Sequence, residues 1–442
     1  MAVLFKRILC LIMCTVMCIS LCSCDAVSSL LQTKTVGMVE DTSLGYTYVG
    51  DNSLKYSDNY KSVSCRESYN CLDDDSKVLY QKLLEYVYYV YPQKNAEQEY
   101  KTKQVILPQI LLDESRIRLT IKALTDDNPQ IFWVSTTFGF MINTAENYTA
   151  VQLYSKHSPT VLKDKMSKLN TAVSSFCSTL RAGMSMYELE LVIHDYILAT
   201  CTYDKTIKVD DKGLPQVDTN AFDAYGALVN RKAVCEGYSR AFQLLCNGVG
   251  IKCINLIGES QGELHMWNAV ELEDYYYYVD VTWDDSDEKA HKYDYFNING
   301  QQLLYDHSFS MLVKDMTKEQ ICGDGTLNAL TSNFFVPQYT GTKYNYYVYN
   351  CEKLTSFGAS NITDGLLKAA QSKEEYFHFY IDPQVYTYDY AVDQLFFSYP
   401  QYFFSYTDAV NHQLADYSID VQDMSIFQKK QLSVVTVILE YI

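Results

Sequence analysis

The strongest structural and chemical signal in this 442-residue chain is the segment Ala233-Val234-Cys235-Glu236-Gly237-Tyr238-Ser239-Arg240-Ala241-Phe242. Its apolar residues recur at helical spacing, on a face that carries Tyr238, Ala241, Phe242 and Leu245. This spacing predicts a helix that starts at Cys235, after an extended stretch over residues 228–234. The partial positive charge at a helix N-terminus favours a thiolate, and the first backbone amides can face an oxyanion. Cys235 is therefore the candidate nucleophile, and Gly237 beside it lets another group approach the backbone closely.

A second pair of polar residues follows on two predicted strands. Residues 265–271 (His-Met-Trp-Asn-Ala-Val-Glu) and residues 275–283 both read as strands, separated by a tight acidic turn. When such a hairpin has an even-length loop, His265 and Asp280 point to the same face, directly opposed or one step diagonal. A carboxylate there orients the imidazole and favours its charged form. A Cys at a helix start with a His/Asp pair on neighbouring strands is the papain-type arrangement. The candidate catalytic residues are therefore Cys235, His265 and Asp280.

Amphipathic helices are predicted on the N-terminal side of this segment. An apolar stripe at spacings of three and four residues runs from Leu162 to Leu180. Ser185, with Glu188 three residues later, gives a capping-box pattern that starts the next helix. Nearer the N-terminus, the pattern predicts a helix over residues 76–90, which is stopped by Pro92. A strand over residues 105–112 and a second helix over residues 116–124 are predicted to follow.

Composition and charge limit what the chain can be. Its length suits two or three domains, and 48% hydrophobic residues indicate a globular protein. The net charge of −18 argues against nucleic acid as a partner, because a phosphate backbone requires a basic surface. The 40 tyrosines suit half-buried strand positions, or exposed rings that stack on sugars.

The N-terminus reads as an export signal. A basic pair at residues 6–7 precedes an apolar run over residues 8–21, which is too short to span a bilayer comfortably. The run ends in Leu21-Cys22-Ser23-Cys24, which resembles a bacterial lipobox, with Cys22 where a small Ala or Ser is usual. The resemblance implies lipidation of Cys24 and a stable anchor in the cell membrane, facing outside the cytoplasm. The alternative is an ordinary cleaved signal and a soluble secreted protein.

The remaining Cys, His and acidic residues give no ligand set. Beyond the signal and the candidate nucleophile, the number of cysteines is even, which permits disulfides but also suits reduced core thiols. Cys65 and Cys71 are the easiest pair to connect. The acidic residues of 284–288 lack the Gly-containing loop of the usual calcium motif and are expected to form a solvated loop. His291 and His307 lack metal-ligand spacing with any Cys pair. No metal site and no cofactor are predicted.

Three ordered motifs resemble a known family. They are Val-Cys-Glu-Gly-Tyr, His-Met-Trp-Asn and Tyr-Val-Asp-Val-Thr-Trp-Asp-Asp, at residues 234–238, 265–268 and 278–285. Flanking segments add to the likeness, at residues 127–133, 194–196, 203–204, 295–297 and 306–307. Together they are similar to the transglutaminase-like domain of bacterial surface proteins, over about residues 110–310. The resemblance implies a papain-like core with Cys235, His265 and Asp280 as a triad. It leaves the substrate open, because the superfamily includes cross-linkers, amidases, proteases and inactive members.

The expected fold is α+β. A helix bearing the Cys packs on an antiparallel sheet bearing the His and the Asp, with flanking α/β regions. The predicted divisions are a lipoprotein signal (residues 1–24), a flexible tether (25–75), an N-terminal α+β region (76–160), a catalytic domain (161–315) and a C-terminal α+β domain (316–442).

The expected function is extracellular thiol acyl transfer by a membrane-anchored enzyme that acts on protein or peptide amides. Trp267 or a backbone amide is expected to exclude water or to support the oxyanion. One alternative is a cysteine peptidase acting on surface or cell-wall peptides. The other is a non-catalytic surface-binding module that retains the fold.

Overall fold

The computed structural model describes residues 66–95, 98–207, 219–322, 331–358, 360–422 and 424–442. The export signal, Cys24 and Cys65 lie outside the described residues. The chain forms two compact units. The first contains the described residues up to Leu272 together with those of His307–Pro337, and the second contains Glu273–Asp306 and the described residues from Gln338 onward. Among the described residues, no helix combines the length and apolar character that crossing a membrane requires.

The helices are numbered along the chain. They are α1 Glu67–Asn70, α2 Asp74–Tyr86, α3 Glu114–Asp127, α4 Pro159–Cys177, α5 Met186–Thr200, α6 Cys235–Gly248, α7 Val281–Asp284, α8 Gly300–Leu303, α9 Lys318–Cys322, α10 Tyr346–Asn350, α11 Ser360–Gln371, α12 Tyr388–Val392 and α13 Tyr402–Asn411. Two segments are π-helical, Gly226–Asn230 and Asp393–Phe397.

The strands are numbered in the same way. They are β1 Val90–Lys94, β2 Tyr100–Thr102, β3 Val105–Pro108, β4 Val134–Asn143, β5 Tyr148–Ser155, β6 Thr202–Tyr203, β7 Lys232–Ala233, β8 Lys252–Ser260, β9 Glu263–Leu272, β10 Tyr275–Val279, β11 His307–Phe309, β12 Glu352–Leu354, β13 Tyr376–Ile381, β14 Ser425–Lys429 and β15 Val434–Ile438. The larger sheets have the orders β1-β2-β5-β3 (β4 also pairs with β5), β10-β9-β8-β11 and β12-β13-β15-β14, and β6 pairs with β7.

The predicted α+β architecture is confirmed around the Cys segment. Helix α6 starts at Cys235 and packs on β8 and β9, which pair antiparallel along their whole length. Its inward face is fully buried, with Tyr238, Phe242 and Leu245 at zero exposure. Burying several large side chains in one helix–sheet interface stabilises each by roughly 1.5–3 kcal/mol relative to exposure. The helix therefore holds a fixed position on the sheet.

Several predicted boundaries in the N-terminal part need correction. The helix predicted over 76–90 ends at Tyr86, and Pro92 lies inside β1 rather than after a helix. Because β1 is an edge strand, Pro can occupy it without breaking a ladder on both sides. The strand predicted over 105–112 ends at Pro108, while the capping box of Ser185 and Glu188 is confirmed.

The stretch before Cys235 is not extended throughout, as the sequence had suggested. Gly226–Asn230 is π-helical, Arg231 adopts a left-handed conformation with φ of 59°, and only Lys232–Ala233 forms a strand. A Cβ on Gly226 would lie 2.0 Å from the carbonyl oxygen of Asn220, so this turn requires glycine. Short apolar runs do not distinguish a strand from a buried helical turn, and this one is buried and helical.

The second unit has its own core. Strands β13 and β15 pair antiparallel and contribute buried Phe379, Val435 and Val437, against which Leu366 of α11 and Phe403 of α13 pack. This part of the chain had been predicted only as a C-terminal α+β domain starting at residue 316.

Candidate active site

Cys235 is the first residue of α6, as predicted. The preceding residue, Val234, is extended and provides no side-chain cap, while its own N–H donates to the carbonyl of Ala221 at 3.0 Å. The positive end of the helix dipole is therefore not neutralised by a capping oxygen, which favours an anion at this place. Cys235 is half-buried and its thiol is free.

A run of hydrogen bonds fixes α6 along the sheet. Asn247 Oδ1 accepts from the Cys253 N–H at 3.0 Å, and Gln243 Oε1 accepts from Asn255 Nδ2 at 2.7 Å. Four residues of α6 therefore match two residues of β8. This is expected, because four helical residues and two strand residues both span about 6 Å.

The same register continues toward the N-terminus of α6. Ser239, one turn before Gln243, donates from Oγ to the carbonyl of Met266 at 2.9 Å, and Met266 pairs with Ile257 of β8. Asn268 Nδ2 donates back to the Ser239 carbonyl at 3.0 Å. One further turn brings Cys235 to the level of Glu259 and Leu264, one residue beyond the pair of Gly258 and His265. The fold thus sets the thiol and the imidazole at the same end of the helix–sheet interface.

The charge beside Cys235 is compensated. Glu236 accepts from Arg240 at 2.9 Å within α6, and Arg240 also donates to the carbonyl of Thr125 at the end of α3. Burial alone would raise the pKa of Glu236, but the charge of Arg240 and its hydrogen bond outweigh burial and hold that pKa below its usual range. The guanidinium thus prevents the Glu236 carboxylate from acting as an uncompensated negative charge next to the thiol.

His265 lies near the start of β9 among aromatic rings. It is 8% exposed and stacks on Trp267 with ring centroids 6.0 Å apart and an interplanar angle of 24°. A second histidine, His307 of β11, lies 5.6 Å from the His265 ring and 5.1 Å from that of Trp267. Trp267 therefore restricts the orientation of the imidazole from one side.

Asp280 directly follows β10 and caps a helix. Its Oδ1 accepts from the N–H groups of Thr282 and Trp283 at 2.9 and 3.1 Å, and the residue is buried. The strand predicted over 275–283 therefore ends at Val279, because Asp280 starts helix α7. The tight acidic turn is confirmed: Glu273 and Asp274 both have positive φ, of 48° and 69°. This is the pattern of a two-residue hairpin loop.

Gly237 and Trp267, the residues expected to support the oxyanion, have structural surroundings that the sequence did not show. A Cβ on Gly237 would lie 2.4 Å from the Ala221 carbonyl oxygen, so the group that approaches its backbone is another part of the chain. Trp267 is fully buried, and its Nε1 has no hydrogen-bond partner among the described residues. Their role toward an oxyanion stays a prediction.

Other expectations are resolved by the structure where it describes them. None of the described cysteines, from Cys71 onward, forms a disulfide, which favours the reduced alternative in this part of the chain. Asp284 is buried and accepts from the Tyr295 N–H at 2.8 Å, so the acidic segment is not entirely a solvated loop. Ser239, Asn268 and Arg240 were not predicted as functional. Their signal was a polar side chain within otherwise apolar helix and strand patterns.

Comparisons with known proteins agree with this core. The family model described as the transglutaminase-like superfamily matches residues 174–282. The proteins named kyphoscoliosis peptidase from Mus musculus and Homo sapiens are each 33% identical to this chain over 89 residues. Each match covers 17% of this chain and 14% of the relative. A crystal structure of a TGase covers 44% of this chain and 53% of that chain, at 14% identity and a TM-score of 0.24. The chain thus spans a small part of the curated relatives that it matches.

Proposed function

Because the chain carries a domain of the transglutaminase-like superfamily at residues 174–282, we propose that it is a thiol acyl-transfer enzyme acting on protein or peptide amides. The observation that carries this proposal is the free thiol of Cys235 at an uncapped helix start, at the end of the helix–sheet interface where β9 carries His265. A scaffold that only binds a partner has no need of that arrangement.

Asp280 is proposed as the residue that orients His265. The loop of Glu273 and Asp274 has the even length for which the sequence predicts that His265 and Asp280 share a face. The capping bonds of Asp280 use Oδ1. A carboxylate held by backbone amides and placed beside an imidazole fixes its tautomer and stabilises the imidazolium.

The proposed chemistry has two steps. The Cys235 thiolate attacks the amide carbonyl, the C–N bond breaks, and the His265 imidazolium gives its proton to the leaving amine. The resulting thioester is then attacked by water or by a primary amine, whose proton returns to His265, and the C–S bond breaks to release the Cys235 thiolate. Backbone amides at the start of α6 are the proposed donors to the tetrahedral oxyanion.

The second candidate is hydrolysis of peptides by the same residues. The similarity to proteins named kyphoscoliosis peptidase favours it. The two candidates share the thioester and differ only in the acceptor, water or an amine. The proposed location is the outer side of the cell membrane, with a lipid on Cys24 and surface or cell-wall peptides as substrates, and the alternative is a soluble secreted form.

Two parallel assays test the proposal. One measures incorporation of a primary-amine probe into a glutamine-peptide library, and the other measures peptide cleavage without the probe. We expect one of these activities in the wild type, its loss in Cys235→Ala, and wild-type activity in the control Cys71→Ala, which removes an exposed thiol. A folded wild type that is inactive in both assays, or a Cys235→Ala variant that keeps the activity, would favour the non-catalytic binding module.

A further inference from the structure

The structure brings His265 and His307 together across an intervening strand. Gly258 of β8 pairs with His265 on one side and with Phe309 on the other, and His307 pairs with Ser260. Residues two apart on a strand share a face, so both histidines lie on the face that Gly258 leaves without a side chain. The two ring centroids are 5.6 Å apart, and a ligand nitrogen of each lies within 4.8 Å of the other.

Glycine is required for this approach. A Cβ at position 258 would lie 1.8 Å from the Ser308 carbonyl oxygen and 2.6 Å from the Trp267 ring. Any other residue would therefore push β11 and Trp267 away and separate the histidines. The gap at Gly258 is thus what allows two imidazoles from non-adjacent strands to meet.

Two buried imidazoles at this spacing match the needs of a divalent transition metal. Zn²⁺ binds imidazole nitrogen at about 2.0–2.1 Å, so two nitrogens of one tetrahedral site lie about 3.4 Å apart. The rings need to close by about 1.4 Å at most, which small side-chain rotations supply. His265 and His307 are 8% and 4% exposed, and the rings of Trp267 and Phe309 provide an apolar surrounding. Such a surrounding limits water access and strengthens metal–ligand bonds.

We infer that His265 and His307 bind a divalent transition-metal ion of the zinc class, and that the bound ion switches off the thiol chemistry. The switch rests on the proposed function: an imidazole with one nitrogen on a metal cannot become the imidazolium that gives a proton to the leaving amine. The binding site itself does not depend on catalysis.

Calorimetric titration of the full chain with Zn²⁺ alone, in chelator-free buffer, tests the site. We expect the wild type to bind one equivalent, and His307→Gln to weaken binding by at least about tenfold, because a ligand is lost. The control His412→Gln removes an exposed histidine of the second unit and should bind as the wild type does. Equal affinities of His307→Gln and wild type overturn the inference.

A second measurement covers the case in which His307→Gln does not fold. Diethyl pyrocarbonate modifies accessible histidine nitrogens, and mass spectrometry locates the modified residues in the wild type. We expect Zn²⁺ to protect His265 and His307 and to leave His412 unprotected. Equal modification of His265 and His307 with and without Zn²⁺ overturns the inference by itself.

Failure of the site and failure of the proposed function give different results. Cys235→Ala should bind Zn²⁺ within about threefold of the wild type, since the histidine pair carries the site. Where acyl transfer is measurable, Zn²⁺ should abolish it in the wild type and in His412→Gln. Binding without any acyl transfer would leave the site standing and reject the function. Acyl transfer that persists with Zn²⁺ bound would reject the switch.

Discussion

Gly258 is the residue on which the arrangement around His265 depends most. We expect Gly258→Ala to destabilise the fold by about 2 kcal/mol or more, because its Cβ meets a carbonyl oxygen and a tryptophan ring at distances below any normal contact. The measurement is the free energy of unfolding in denaturant. Gly139→Ala is the matched control, since its Cβ finds nothing nearer than 3.5 Å in another strand. Equal stabilities of the two variants would show that β11 is free to move.

For single residues, the sequence showed which residues are important better than it showed why they are important. Cys235 could be predicted because a Cys before a helical apolar stripe has a recognisable chemical consequence. The need for glycine at position 258 could not be predicted. It arises from the close approach of the Ser308 carbonyl of β11, which is distant along the chain. His307 was assessed for ligand spacing along the sequence and as part of a flanking motif at residues 306–307, but not for closeness to His265. Its closeness to His265 arises from strand pairing across β8, which no local spacing shows.

Helix α6 is the element that positions the proposed nucleophile. We expect Arg240→Met to destabilise the first unit by about 1–3 kcal/mol, because it leaves the Glu236 carboxylate, which is only 16% exposed, without its partner. Lys168→Met is the control, at the same i,i+4 spacing but with both side chains more than half exposed. Its effect should stay below about 1 kcal/mol.

Thermal unfolding of both variants provides the comparison. A shift of similar size in each would mean that the Glu236–Arg240 pair is no more than a surface ion pair. In that case the compensation of charge beside Cys235 would lose its structural basis.

The success of sequence prediction at the level of elements follows from periodicity. Helices α5 and α6 carry long stripes and recognisable starts, and both begin where predicted. The prediction of an extended stretch before Cys235 was wrong, because five residues are too few to distinguish a strand from a helical turn. The hairpin that follows α6 was predictable because a two-residue acidic loop fixes its own register.

Over the whole molecule, buried carboxylates predict an unusual pH dependence of stability. Burial raises the pKa of Asp127 to about 7 and that of Asp223 to about 6. The N–H groups that hydrogen-bond to these carboxylates lower the pKa, but burial has the larger effect. Both pKa values are higher in the folded than in the unfolded chain. Their stabilising contribution is therefore complete below about pH 4 and is lost as the pH rises through about 6 to 7.

Asp127→Asn should reduce this dependence. We expect the melting temperature of the wild type to contain a component that falls between about pH 4 and pH 7, and this component to shrink in the variant. Asp164→Asn, at an exposed position, is the control and should keep the wild-type profile. Identical pH profiles of Asp127→Asn and wild type would show that Asp127 ionises in the folded chain as it does in water.

The reactivity of the individual thiols tests whether Cys235 and His265 act as a unit. Cys71 is exposed, whereas Cys235 is half-buried, so access alone would make Cys71 react first. Burial and the nearby acidic residues Glu67 and Asp127 also raise the pKa of Cys71, which slows it. Alkylation by iodoacetamide at neutral pH, with a metal chelator present and each site followed by mass spectrometry, measures both thiols in one sample.

If α6 and His265 hold Cys235 as a thiolate, it should react at least about tenfold faster than Cys71. His265→Ala should abolish that advantage and leave the rate of Cys71 unchanged. If Cys71 reacts first, or if Cys235 reacts equally fast with and without His265, the two residues do not form a catalytic pair.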